Sequence, residues 1–178
     1  MRYAAMLRGV MPTNCRMPEL KAAFEAAGFQ DVKTVISSGN VVFGTRAASE
    51  AAIQAKAEAA MEKRLGRTFL TIVRPIAELR ELIEANPWKD FRVPENGKRN
   101  VTFLREAPAA TVKLPVRAGN AAILARKGRE VFSYYVPDGM VAGPDFMAMI
   151  EKTFGKAVTT RTWETVMKLC AAGEGIRK

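Results

Sequence analysis

Apolar and polar residues alternate along the chain in two patterns, one with the period of a β-strand and one with the period of an α-helix. Two short β-type runs, Val32–Ile36 and Val41–Phe43, flank the polar segment Ser37-Ser38-Gly39-Asn40. Branched and aromatic residues on either side of a glycine-containing turn predict a β-hairpin. This hairpin is the clearest structural signal in the sequence, and we place the remaining elements relative to it.

Residues 1–74 contain six predicted elements in the order β-α-β-β-α-β. Around the hairpin we predict two further strands, Tyr3–Leu7 and Phe69–Val73. An apolar stripe from Met17 to Ala27 predicts the first helix, and Ser49–Leu65 has the same spacing and predicts the second. This order predicts a ferredoxin-like unit, in which two helices cover one face of an antiparallel sheet.

A connecting helix and loop, residues 75–98, are predicted to separate this unit from a second one. Helix Ile76–Ala85 follows Pro75 and is broken at Asn86-Pro87. Residues 99–178 then repeat the element order as a second ferredoxin-like subdomain with a C-terminal helix. Its predicted elements are, in order, strand Asn100–Leu104, helix Ala109–Leu114, hairpin strands Ala121–Arg126 and Val131–Val136, turn Pro137-Asp138-Gly139, helix Asp145–Phe154, strand Ala157–Thr160 and helix Trp163–Ala172.

The predicted fold class is therefore α+β, with duplicated ferredoxin-like (βαββαβ) units, antiparallel sheets, a connecting helix and a C-terminal helix. The duplication rests on element order alone, because the two halves share no strong residue-by-residue identity. In the last helix, the residues at helical spacing that predict one packing face are Trp163, Val166, Met167, Cys170 and Ala171. On this face Cys170 is expected to be a buried hydrophobic residue rather than a reactive thiol.

The composition indicates a soluble globular chain. Of its 178 residues, 48% are hydrophobic and 26% are charged, which is normal for such proteins. No apolar run approaches the roughly 20 residues of a membrane helix, and the charged start Met1–Gly9 indicates a strand rather than a signal peptide. The two cysteines, Cys15 and Cys170, form no disulfide framework, so a cytoplasmic location is expected.

Histidine is absent, and its absence excludes several kinds of catalysis. Ser-His-Asp triads, Cys-His pairs and imidazole bases are all impossible, and two distant cysteines cannot make a cysteine-rich metal site. The sequence also contains no Walker loop and no strand–GxGxxG–helix unit. We therefore expect no cofactor and no metal, and the sequence leaves open whether the protein is an enzyme.

The net charge is +10, from 28 Lys and Arg against 18 Asp and Glu. Part of this charge is concentrated in residues 92–129, which also contain two acidic residues. The nine basic residues of this stretch are Arg92, Lys98, Arg99, Arg105, Lys113, Arg117, Arg126, Lys127 and Arg129. Such a stretch favours binding of nucleic acid or another anion. A basic surface also raises solubility without any partner, and both interpretations remain open.

Five short segments, in their order and spacing, resemble a known family. They are Leu7-Arg8-Gly9, Ile36–Phe43, Asn86-Pro87, Tyr135–Gly139 and Thr159–Val166. Together they are similar to the bacterial domain-of-unknown-function family numbered 1697, and the resemblance spans essentially the whole chain. It implies a duplicated ferredoxin-like α+β fold. It implies no activity, so no catalytic residues are carried over from it.

Two candidate anion sites lie in the first half of the chain. The turn at Ser37, Ser38 and Asn40 offers hydroxyl and backbone N–H groups to an anion, although glycine and asparagine here also suit the left-handed angles of a tight turn. The loop from Arg8 to Arg16, with Asn14, lies near a helix start, where an anion is favoured. The alternative for this loop is an ordinary surface connection.

A third candidate lies near the end of the chain. Arg161 lies just before the last predicted helix, and Trp163 begins it. This placement suits a carboxylate or phosphate ligand. The alternative is that Arg161 stacks on the tryptophan or pairs with an acidic neighbour.

The function therefore remains unknown, with hypotheses from three classes. The first is a non-catalytic module whose basic surface binds nucleic acid or another polyanion. The alternative is an enzyme or binding protein that acts on a small anionic metabolite in a cleft between the two halves. The third is an assembly role through an exposed sheet edge, and the oligomeric state is left open.

Overall fold

Two antiparallel sheets and five helices make up residues 1–137 and 144–175, the part of the chain that the computed structural model describes. The protein is therefore a mixed α+β chain. It divides into two units: unit 1 comprises Met1–Glu84 and Met167–Lys178, and unit 2 comprises Ala85–Val166. Within the described residues, no helix combines the length and the apolar character needed to cross a bilayer.

Unit 1 is built on a four-stranded sheet. Its elements are β1 (Arg2–Leu7), α1 (Met17–Ala26), β2 (Gln30–Thr34), β3 (Asn40–Gly44), α2 (Glu50–Leu65), β4 (Thr71–Pro75), α3 (Ile76–Glu84) and the C-terminal part of α5 (Trp163–Glu174). The strand order is β2-β3-β1-β4, and every neighbouring pair is antiparallel. The six elements predicted for residues 1–74 are all present, with β4 beginning at Thr71 rather than Phe69.

The core of unit 1 lies between this sheet and helices α1 and α2. Alternate residues of β1 share one face of the sheet, and Tyr3 and Leu7 pack there in the same cluster as Phe24 of α1. The ring of Phe43 lies 5.5 Å from that of Phe24 and 4.4 Å from that of Phe29, centroid to centroid. Burying one such ring contributes about 1.5–3 kcal/mol, so this aromatic group holds α1 against the sheet.

Local signals in the sequence set both ends of α2. The Ser49 hydroxyl oxygen accepts a hydrogen bond from the Ala52 N–H at 3.2 Å, which caps the first turn. Gly66 follows the helix with φ +68°, in the left-handed region where glycine carries little strain. The chain therefore turns sharply after Leu65, and Arg67 comes directly beyond the helix end.

Unit 2 contains a five-stranded sheet. Its elements are β5 (Lys98–Leu104), β6 (Val116–Ala118), β7 (Ala121–Lys127), β8 (Glu130–Tyr135), α4 (Pro144–Phe154), β9 (Val158–Thr162) and the first residues of α5. The order is β6-β7-β8-β5-β9, again with antiparallel neighbours. Helix α4 covers one face, where Phe146 and Ile150 pack with Leu104, Ile123 and Val131. The predicted turn at 137–139 extends beyond the described residues.

The prediction of a helix at Ala109–Leu114 was wrong, because these residues form irregular structure. Proline stands on both sides of the segment, at Pro108 and Pro115, and a residue before proline avoids the helical region. The interval that remains is too short to nucleate a helix without strong packing. The chain instead adds the short edge strand β6, which pairs antiparallel with β7.

The packing face predicted for α5 was also partly wrong. Val166 and Cys170 are buried as expected, but Met167 is 42% exposed and Ala171 is exposed. The buried stripe includes Leu169, with no exposed surface, instead. Spacing at i, i+3 and i+4 fits two neighbouring stripes of one helix equally well. Which of the two stripes is buried depends on the residues that pack against the helix.

Gly39 provides a test of close packing in unit 1. Its φ is +78°, and an added Cβ would lie 2.8 Å from the Val10 Cβ. We expect Gly39→Ala to lower the free energy of unfolding by about 2–4 kcal/mol, from backbone strain and overpacking together. Gly9 has φ +80° with no neighbour within 4 Å of an added Cβ, so Gly9→Ala isolates the strain and should cost about 1 kcal/mol. Urea unfolding of both variants measures the difference, and equal losses would contradict the packing argument.

Candidate functional site

Two of the loops predicted to bind anions meet at one end of the unit 1 sheet. The Leu7 N–H donates to the Gly39 carbonyl oxygen at 2.8 Å, where β1 ends and β3 is about to begin. Gly39 also lies against Val10 of the loop that follows β1. The structure therefore brings the Arg8–Arg16 loop and the hairpin turn together.

The two candidate asparagines are engaged within their own loops. Asn14 Oδ1 accepts from the Met11 N–H at 2.8 Å, and Asn14 Nδ2 donates to the Gly9 carbonyl oxygen at 2.8 Å. Asn40 has no exposed surface, and its Nδ2 donates to the Val35 carbonyl oxygen at 3.2 Å and to Ser38 Oγ at 3.0 Å. These contacts favour a structural role for both amides.

The hairpin turn takes its left-handed angles at residues other than those expected. Gly39 has a positive φ, as predicted, but Asn40 does not. The second such residue is Ile36, with φ +50° and 46% exposure. This angle strains a β-branched residue by about 1–3 kcal/mol. Ser37 is exposed on the same turn, and Ser38 is half-buried.

The Arg8–Arg16 loop leads to a cavity of about 400 Å³ at the start of α1. Asn14 and Cys15 line it from the loop, Glu19 lines it from the first turn of α1, and Arg64 and Arg67 line it from the end of α2. Arg16 is the N-terminal cap residue of α1 and offers no side-chain hydrogen bond to the helix. Of the six candidates in unit 1, Asn14 is therefore the one that lines this cavity.

The charged side chains of this cavity are not neutralised within it. Arg64 and Arg67 are both exposed, and among the described residues neither guanidinium has an ion pair or a hydrogen bond. Glu19 lines the same cavity and forms no ion pair with either arginine. A planar guanidinium matches a carboxylate or phosphate through two parallel hydrogen bonds. The arrangement is therefore suited to holding a small oxyanion.

Cys15 lines the cavity with a neutral thiol and is not placed to act as a nucleophile. Its side chain is 5% exposed. Burial raises the pKa of the Cys15 thiol above its usual value, Glu19 raises it further, and Arg67 acts in the opposite direction. The thiol is therefore protonated at neutral pH, and only the thiolate is a strong nucleophile.

Arg161, one of the two candidates in unit 2, lies inside the protein. It is 9% exposed on β9, opposite Val101 of β5. Its Nη1 donates to Thr159 Oγ1 at 2.6 Å and to the Thr160 carbonyl oxygen at 2.9 Å. Burial lowers the pKa of Arg161 to about 10, so the group keeps its charge at neutral pH. These contacts favour a structural role for Arg161.

Trp163, the other candidate in unit 2, lines a second cavity of about 520 Å³. Lys98 and Arg99 at the start of β5 line the same cavity, as do Tyr135 at the end of β8 and Glu164 on α5. Lys98 lies directly opposite Tyr135 across the β5–β8 pair. The sequence pointed to each of these cations as part of the basic stretch, but not to their position beside Trp163.

Potential metal ligands are not clustered in the part of the chain that the structure describes. Within residues 1–137 and 144–175, no group of three or more Cys, Asp or Glu side chains is placed to hold a metal ion. Charged, amide and aromatic side chains are among those that line the two cavities.

The fold is that of a mixed α+β protein with two antiparallel sheets and five helices in its described residues. The chain belongs to the family described as protein of unknown function (DUF1697), which matches residues 1–132. This confirms the family found by resemblance, over residues 1–132 rather than the whole chain, and the description of the family assigns no function. No curated protein matches the chain.

A solved structure shares the fold. The conserved bacterial protein SP0830 from Streptococcus pneumoniae aligns with a TM-score of 0.66 at 18% sequence identity, over 96% of this chain and 97% of that one. At this identity the likeness concerns the fold alone.

The thiols provide a test of the cavity wall. Burial also raises the pKa of the Cys170 thiol, so both cysteines hold a smaller thiolate fraction at neutral pH than a free cysteine. We expect slow reaction of the native protein with a thiol reagent at neutral pH, and rapid reaction of both thiols in concentrated guanidinium chloride. Rapid reaction of one thiol in the native state would show that its burial is not maintained in solution.

The contrast between two arginines of the unit 2 sheet tests the role of Arg161. Arg161→Ala removes charge-assisted hydrogen bonds inside the protein, and we expect the free energy of unfolding to fall by about 2–4 kcal/mol. Arg99 is exposed, with its guanidinium 5.8 Å from the Trp88 ring centroid, and Arg99→Ala should cost about 1 kcal/mol or less. Urea unfolding measures both, and a small loss for Arg161→Ala would argue against a structural role.

Proposed function

We propose that this protein binds a small anionic metabolite, carrying a carboxylate or phosphate group, in the cavity at the start of α1. The observation that carries the proposal is the pair Arg64 and Arg67, which line this cavity without a partner among the described residues. The proposal locates the ligand within unit 1, at the end of the loop that contains Asn14.

The shape of the site supports a small ligand. A volume of about 400 Å³ lies near the lower end of the range for metabolite pockets, roughly 300–1,000 Å³. Asn14 closes the preceding loop through two hydrogen bonds, so this wall is held in place before a ligand arrives. A preformed wall lowers the entropy cost of binding.

The charge of the site supports a ligand with one or two negative charges. Arg64 and Arg67 bring two positive charges to the cavity, and Glu19 brings one negative charge. The first turn of α1 adds the positive end of a helix dipole, which favours anions further. Glu19 opposes this attraction, so its removal should strengthen binding.

Strand order supports a second proposal, that the two units are duplicated ferredoxin-like subdomains. In unit 1 the order is β2-β3-β1-β4, and in unit 2 the corresponding strands run β7-β8-β5-β9. Unit 2 departs from the repeat by adding β6 where a helix was expected. The proposal therefore concerns the shared strand order and not every element.

Titration calorimetry with inorganic phosphate and with succinate tests the anion site. We expect Arg64→Gln and Arg67→Gln each to weaken binding roughly 5- to 10-fold, since each removes a charge-assisted contact. Glu19→Gln should tighten binding about two- to threefold, because it removes a repulsive charge.

Arg46→Gln is the matched control for this titration. Arg46 is an exposed arginine of unit 1 that does not line the cavity, so its loss should change affinity less than about twofold. The proposal fails if the double variant Arg64→Gln/Arg67→Gln binds both anions as well as the unchanged protein.

A further inference from the structure

We propose that the cavity beside Trp163 in unit 2 binds a nucleotide, whose base stacks on the Trp163 ring while Lys98 and Arg99 hold its phosphate. This site is independent of the anion cavity of unit 1. It offers the two features that single-stranded nucleic acid recognition needs, an aromatic platform and exposed cations.

The cavity has room for one nucleotide. Its volume is about 520 Å³, within the range of small-molecule sites. Trp163 at the start of α5 and Tyr135 at the end of β8 are both half-buried and both line it. Aromatic side chains that are partly exposed in a cavity provide stacking surface for a planar ring.

The Trp163 ring is half-buried at the cavity and is held in place by a neighbouring tryptophan. It makes an edge-to-face contact with Trp88, with centroids 5.8 Å apart and planes at 77°. Such a contact covers at most one face of either ring. Trp88 is 3% exposed and also contacts Phe132, so it supports Trp163 from inside the protein.

The cations lie on a strand end whose position is fixed. The Asn100 amide donates to the Lys98 carbonyl oxygen at 2.7 Å, and Lys98 pairs with Tyr135 across the sheet. Both Lys98 and Arg99 are exposed at the cavity. The Arg99 guanidinium lies over the Trp88 ring, which places this cation beside the aromatic pair.

The acidic residues of the cavity bear on whether it suits an inorganic anion or a nucleotide. Glu95 and Glu164 line it together with the two cations, so these four side chains carry no net charge. Charge alone therefore gives a bare phosphate little reason to bind here. A base adds stacking on Trp163, and its amino groups can donate to a carboxylate as base edges do elsewhere. The balance of charges thus favours a nucleotide over an inorganic anion.

Fluorescence anisotropy with a labelled, mixed-sequence single-stranded RNA tests this proposal, with adenosine monophosphate as an unlabelled competitor. We expect saturable binding of the RNA. Competition by the mononucleotide would show that a free nucleotide suffices, and its absence would show that the nucleotide must be part of a strand. Failure of the RNA to bind and of the mononucleotide to quench tryptophan fluorescence overturns the proposal.

Three variants connect that binding to the cavity. Trp163→Ala should weaken it roughly 10-fold, the loss expected for one stacked base. Lys98→Ala/Arg99→Ala should weaken it by a similar factor and reduce the slope of log affinity against log salt by about 1–2. Lys127→Ala is the control, because Lys127 is an exposed cation at the opposite end of the β7–β8 pair, and it should change affinity less than about twofold.

The outcomes separate the two sites. Lys98 and Arg99 are exposed, so their double variant decides the question even if Trp163→Ala does not fold. An equal loss for Lys127→Ala, or no loss for Lys98→Ala/Arg99→Ala, overturns the nucleotide site. Neither result affects phosphate binding at Arg64 and Arg67, which is measured separately.

Discussion

The central position of β1, hydrogen-bonded to β3 on one side and to β4 on the other, is the constraint on which unit 1 depends. Ala4, Ala5 and Met6 have no exposed surface, so this strand is buried on both faces. Beyond it, the Arg8 N–H donates to the Leu70 carbonyl oxygen at 2.9 Å. The loop to α1 therefore leaves from a fixed point, and sheet pairing positions the first wall of the cavity at the start of α1.

Local charge balance, rather than net charge, distinguishes the two cavities. The chain carries a net charge of +10, which by itself is compatible with a solubility role. In unit 1, Arg64 and Arg67 outnumber Glu19 at the cavity. In unit 2, the cations are balanced by carboxylates, and aromatic rings are present as well. The same excess of basic residues thus leaves one cavity with more positive than negative side chains and another in which the charges balance beside aromatic rings.

The candidate residues named from the sequence include some near a helix start, and the structure favours the structural alternative for several of them. Asn14 does line a cavity, yet its amide is occupied by its own loop. Arg161 was a candidate ligand group with a structural alternative, and it is buried in the sheet. Arg64 and Arg67 were missed, because they lie far along the chain from Asn14. The predicted element order could have pointed to them. If the two helices of a β-α-β-β-α-β unit are antiparallel, the end of α2 lies near the start of α1.

The sequence by itself determined most of the elements, because strand and helix periods, caps and prolines act over a few residues. Ser49, Gly66 and the hairpin around Gly39 are examples of such local control. Only the tertiary structure decided that α5 buries Leu169 rather than Met167 and that residues 116–118 form an edge strand. It also decided which charges share a cavity. These choices depend on contacts between residues distant in sequence, and such contacts leave no periodic pattern along the chain.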